Sequence, residues 1–151
     1  MSDDTLQRHD PPLILSHSEA VVAVLVGCVA VDGVLRAEEA GRLNDVLSST
    51  RWVFGTGVEA AAGVTRRALH LITDHGLPAV LGACAKAIPA EWHATTFALA
   101  VDLVLADGRL GDRENAVVDT LQSALQIDGD LARKIVDVLL IKNRASGRPD
   151  L

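Results

Sequence analysis

The sequence predicts an all-α fold, a compact bundle of about seven helices built from two helix–acidic turn–helix repeats. Three observations carry that expectation. Apolar residues recur at helical spacing throughout, and no segment alternates with the period of a strand over any useful length. Two long apolar runs, residues 20–31 and 97–106, are each followed by a short acidic turn and then an amphipathic segment. Finally, the turn is written twice: Asp32, Gly33, Leu35 and Glu39 recur 75 residues later as Asp107, Gly108, Leu110 and Glu114.

Taken in order, residues 1–16 with Pro11-Pro12 read as a flexible or extended lead, residues 17–144 as the helical domain, and residues 145–151 as a short tail. The first helix begins near His17-Ser18 and runs to Val31. Val21, Val22, Val24, Leu25, Val26, Cys28 and Val29 leave it no polar stripe, so it belongs at the centre. Its partner covers about 37–48, with Leu43, Val46 and Leu47 facing inward. Residues 52–57 form a connector, and Thr56 is placed to cap a helix that ends near His75, before Gly76 and Pro78. Another helix follows over 78–87. Pro89 opens the second copy at a first-turn position, and that helix continues to Ala106 as a second central element. Val117, Val118, Leu121 and Leu125 mark the next helix. Asp128 then caps a last one carrying Leu131, Ile135, Val138 and Leu139.

A chain of 151 residues with 49% hydrophobic composition can bury the core of one domain. Its net charge of −6, with no Lys/Arg run, argues against nucleic acid, which is bound through clustered positive charge. Arg66-Arg67 and the sparse Lys142, Arg144 and Arg148 read as solvated charges. Asp3 and Asp4, with no apolar core before Leu13, do not fit a secretory signal, and the run 20–31 falls short of the roughly 20 residues of a membrane span. The expectation is a soluble, cytoplasmic protein without membrane insertion, of unspecified oligomeric state.

The repeated Asp-Gly-x-Leu-x-x-x-Glu has the spacing of the second half of an EF-hand loop. The first half is missing, because Cys28 and Ala30, or Leu103 and Leu105, stand where oxygen ligands are needed. One turn therefore supplies at most two carboxylates, against the six to eight oxygens that calcium takes. If the halves converge about an internal pseudo-twofold, Asp32, Glu39, Asp107 and Glu114 form a candidate site for a divalent cation, calcium or another. A second reading needs no ligand. Gly33 and Gly108 then end their helices, Asp32 and Asp107 cap the turns, and Glu39 and Glu114 take the capping-box position three residues after Arg36 and Gly111.

Asp102 interrupts an apolar run and must be paired, hydrogen-bonded or on a wet strip; it is also a candidate ligand, although it lies about 140° around the helix from Asp107. Cys28 and Cys84 stand singly in apolar stretches and read as core residues. His70 and His75 lack the spacing of a helical metal pair, His9 and His17 lie in or near the lead, and His93 is alone beside Trp92. Trp52, Phe54, Trp92 and Phe97 read as core and hinge aromatics. No catalytic triad or phosphate loop is legible, so no catalytic residue is assigned.

The two turns, together with Ala87-Ile88-Pro89-Ala90-Glu91-Trp92, the segment Phe97 to Gly108 and the closing Ile141-Lys142-Asn143, resemble the TerB-like proteins of tellurite resistance. The resemblance covers roughly residues 18–143 and implies a compact all-helical domain of two similar halves. It implies a bacterial protein of tellurite or chemical-stress response, divalent-cation binding or a protein partner, and no enzymatic activity. Arg36 and Gly111 depart from the family, which often has Ser or Thr at those caps. Two functional expectations follow: a module binding a divalent cation or a basic protein partner through the acidic turns, or a structural interaction domain whose acids only cap helices.

Overall fold

The computed structural model describes residues 15–31, 33–49 and 58–144. Asp32, most of the N-terminal lead, the 52–57 connector with Thr56 and Phe54, and the 145–151 tail lie outside them. Among the described residues the fold is all-helical, with seven α-helices and no strand: α1 (His17–Val29), α2 (Ala37–Ser49), α3 (Val58–His75), α4 (Leu77–Ala87), α5 (His93–Val104), α6 (Asp112–Ala124) and α7 (Gly129–Lys142). A 3-10 turn, Ala90–Trp92, leads into α5. Among the described residues no helix is long and apolar enough to cross a membrane.

Helix α1 starts where Ser16 Oγ accepts the Glu19 amide at 3.2 Å, and Glu19 holds Arg67 of α3 by a 2.7 Å ion pair. Every residue from Ala20 to Ala30 is buried, as expected of a helix with no polar stripe. Helices α2, α3, α4 and α5 all pack on α1. The approach of α4 is close enough that a Cβ on Gly27 would stand 2.6 Å from Leu77 Cδ1. On α2, Leu43 and Leu47 are buried and Val46 is half-buried, which is the inward face read from the sequence.

Gly76 divides α3 from α4. Its φ of 83° is left-handed, and its amide returns to Ile72 O at 2.8 Å to close the helix. Leu77, Val80, Leu81 and Cys84 then recur at helical spacing on the buried face of α4. Pro89 does not open a continuous helix; it precedes the 3-10 turn, and α5 begins at His93 and ends at Val104, before Ala106.

Helix α5 is less central than its apolar sequence suggests. Thr96, Phe97, Ala100, Val101 and Leu103 are buried, whereas Ala98, Leu99 and Val104 are only half-buried. It packs on α1, α2, α6 and α7. Helix α6 ends in a Schellman corner: Ile127 N–H returns to Gln122 O at 3.0 Å and Gln126 N–H to Ser123 O at 3.3 Å, with Gln126 at φ 53° in the place glycine usually takes. Asp128 Oδ2 accepts from the amides of Asp130 and Leu131 and caps α7, as its position in the sequence predicts.

Candidate functional site

The two acidic turns are built from the same hydrogen bonds. In the first, Ala30 N–H returns to Val26 O at 2.8 Å, Gly33 N–H donates to Ala30 O at 2.9 Å, and Ala40 N–H to Arg36 O at 2.8 Å. In the second, the pairs are Leu105 to Val101 at 2.8 Å, Gly108 to Leu105 at 2.9 Å, and Asn115 to Gly111 at 2.9 Å. Each bond lies 75 residues from its counterpart, the spacing of the sequence motif. The equal lengths of α2 and α6, 13 residues each, follow from the same register.

Both glycines are left-handed, with φ 82° at Gly33 and 77° at Gly108. They do not end their helices directly, as the sequence suggested. The helices cap at Ala30 and Leu105, and each glycine closes a separate turn three residues further on. Gly33 is fixed from outside as well, because a Cβ there would collide with Thr73 Oγ1 of α3.

The carboxylates serve these turns. Glu39 Oε2 accepts the Arg36 amide at 3.1 Å, half of a capping box, while Oε1 stands 3.8 Å from the Arg36 guanidinium. Glu114 lies over Gly111, with Oε2 2.8 Å from the point a Cβ there would occupy, but among the described residues no amide donates to it as the Arg36 amide does to Glu39. Gly111 is the N-cap residue of α6, and its lack of a side chain leaves that room. Asp107 is exposed, and its Oδ1 accepts the Arg109 amide at 3.0 Å in an Asx-type turn. Both acids at the head of each following helix also lie at the positive end of its dipole.

Asp102 belongs to a different constellation. It is half-buried on α5, where Oδ1 accepts from Lys142 Nζ at 3.0 Å and from Asn143 Nδ2 at 2.7 Å, and Oδ2 from Lys142 Nζ at 3.2 Å. The sequence required a partner for this acid without naming one. The partners come from the end of α7, so the ammonium group of Lys142 fills the place of a counter-ion.

Cys28 and Cys84 are buried thiols on the facing helices α1 and α4. Burial pushes Cys84 up to about 12, and burial first, then the neighbouring Cys84, raises Cys28 further. Both remain protonated at neutral pH and behave as small core groups.

His93 is the residue whose place the sequence did not suggest. Half-buried at the start of α5, it has Nδ1 3.1 Å from Leu125 O and Nε2 3.0 Å from Ala85 O and 2.8 Å from Ile88 O. Its partners are backbone carbonyls delivered by the fold; the one local signal was its position just after the Ile88-Pro89 break.

Among the described residues no three His, Cys, Asp or Glu side chains form a group that could hold a metal ion; Asp32, one of the four repeated acids, lies outside that set. Comparison of the chain with protein-family models, curated proteins and solved structures gave no match.

Proposed function

We propose that the chain is a non-enzymatic helical interaction module, TerB-like in the arrangement of its two halves, in which the duplicated acidic turns fasten each helix hairpin. The observation that carries this reading is the bond from the Arg36 amide to Glu39 Oε2, with Asp107 Oδ1 likewise taken by the Arg109 amide in the second turn. A carboxylate committed to a helix N-terminus has its charge met by local N–H groups and the dipole, and needs no ion. The setting of bacterial tellurite or chemical stress comes from the sequence resemblance alone.

A second reading rests on the repetition itself. Capping asks for an acceptor at each position but not for the same acids in both turns, and a net charge of −6 favours a divalent cation or a basic partner. In that reading Asp32, Glu39, Asp107 and Glu114 are the ligands. Calorimetric titration of the full chain with calcium and with zinc separates the two. No binding heat and an unchanged melting temperature support the fastening role; saturable binding with a rise in melting temperature supports the cation site.

A further inference from the structure

We propose that the outer face of α7 is a self-association surface, on which the same helix of a second copy of this chain packs antiparallel. Among the described residues, three of the four exposed large hydrophobic side chains are on this helix: Leu131 at 42%, Val138 at 61% and Ile141 at 68%. An α-helix turns about 100° per residue, so the three fall within about 80° of one another and extend over about 15 Å. They form a continuous stripe rather than the single apolar residues that surfaces ordinarily carry.

The fold does not require that stripe. Helix α7 is held to the rest of the molecule by its other side, where Ala132 is buried and Val136, Leu139 and Leu140 are half-buried. Helix α3 follows α2 as α7 follows α6, and it gives an internal comparison. Its exposed positions include Arg66, Arg67, His70, Thr73 and Asp74, and among its described residues no large hydrophobic is exposed. The first half of the chain thus keeps this helix polar outside, and the second half does not.

The charges on the stripe select its occupant. Lys134 lies inside the 80° arc and Asp137 about 40° beyond its edge on one flank. Both are exposed, and among the described residues neither is in an ion pair. A parallel pairing would set each of these charges beside its own copy, lysine against lysine and aspartate against aspartate. An antiparallel pairing about a twofold midway between them sets each Lys134 against Asp137 of the other copy, and brings Leu131 to within one residue of the level of Ile141. The face is therefore complementary to itself in one orientation. One helix against one helix is a small contact, so the dimer is reversible and forms at micromolar to millimolar concentration. The proposal is independent of what the acidic turns do.

The test is sedimentation equilibrium of the full chain from about 10 μM to about 1 mM. The average mass is expected to rise with concentration towards that of a dimer, and Val138→Asp is expected to remove the rise while the helical circular dichroism stays. Lys134→Asp and Asp137→Lys should each weaken dimerisation about tenfold at low salt, and the two together should restore it. A chain that stays monomeric over the whole range overturns the proposal, as does a dimer that survives Val138→Asp. A chain that dimerises only once residues 1–14 are removed overturns it equally, since that segment would then be what covers the face. Should Val138→Asp not fold, the charge series at the two exposed positions decides alone: no loss in the single variants, or no recovery in the double one, contradicts the antiparallel pair.

Discussion

The Glu39 carboxylate accepts the backbone hydrogen of Arg36 at 3.1 Å, so the acid of the first turn fastens the residue that opens α2. Removing that acceptor leaves an N-terminal amide of the helix without its side-chain partner. Glu39→Ala is expected to cost about 1 kcal/mol by chemical denaturation, and Glu39→Gln less, because an amide oxygen still reaches the Arg36 N–H. Glu114→Ala should cost less, because no amide bond to Glu114 is lost with it. An equal loss at both would show that Glu114 fastens its turn as Glu39 does.

Gly33→Ala and Gly108→Ala should each cost about 1 kcal/mol or more, since both backbones are left-handed and a Cβ is penalised there. Gly33 should be the worse of the two, because its Cβ also meets Thr73 Oγ1. Paired unfolding curves would check the order; equal and negligible losses would mean that the turns relax to another geometry.

Asp102→Ala should destabilise more than Lys142→Ala. The acid is half-buried and accepts from both Lys142 and Asn143, whereas the Lys142 side chain is 58% exposed and can be solvated alone. About 1–2 kcal/mol is expected for the acid, and no more than about 1 kcal/mol for the lysine. The reverse order would mean that the anchor of α7 is carried by packing rather than by this network.

The thiols give a pH dependence of known sign. Both are held protonated in the folded state by burial, so their contribution is present below the ordinary thiol range and is lost as pH rises towards about 12. Alkaline destabilisation should set in near pH ~9, approaching about 1.4 kcal/mol per pH unit for each thiol, and Cys84→Ala should lower that slope. In native protein at neutral pH both cysteines should resist alkylation and react fully in denaturant. Rapid native labelling would contradict the burial.

What the sequence could reveal divides along a physical line. Helix limits set by local chemistry were legible: Gly76 stops α3 because its backbone can turn left-handed, and Asp128 starts α7 because its side chain reaches two amides. Burial of α1 was legible because it has no polar face. Burial of α5 was overestimated, since apolar residues such as Leu99 and Val104 report a preference for the interior and not which neighbours cover them. The partners of Asp102 and of His93 lie 40 or 41 and up to 32 positions away, and for His93 they are carbonyls, which any residue type supplies. Such contacts exist only once the chain has folded. The acids of the turns were legible as a pattern, and the two roles offered for them differ in what faces the carboxylates.

The most direct test of the fastening role is the melting temperature of Asp32→Asn plus Asp107→Asn beside wild type, each measured in chelator and in excess calcium. Fastening predicts the same loss under both conditions, because the acids then act on backbone amides such as that of Arg109. A variant that melts like wild type in chelator, and lacks only a calcium-dependent rise that wild type shows, would contradict it and establish the carboxylates as ligands.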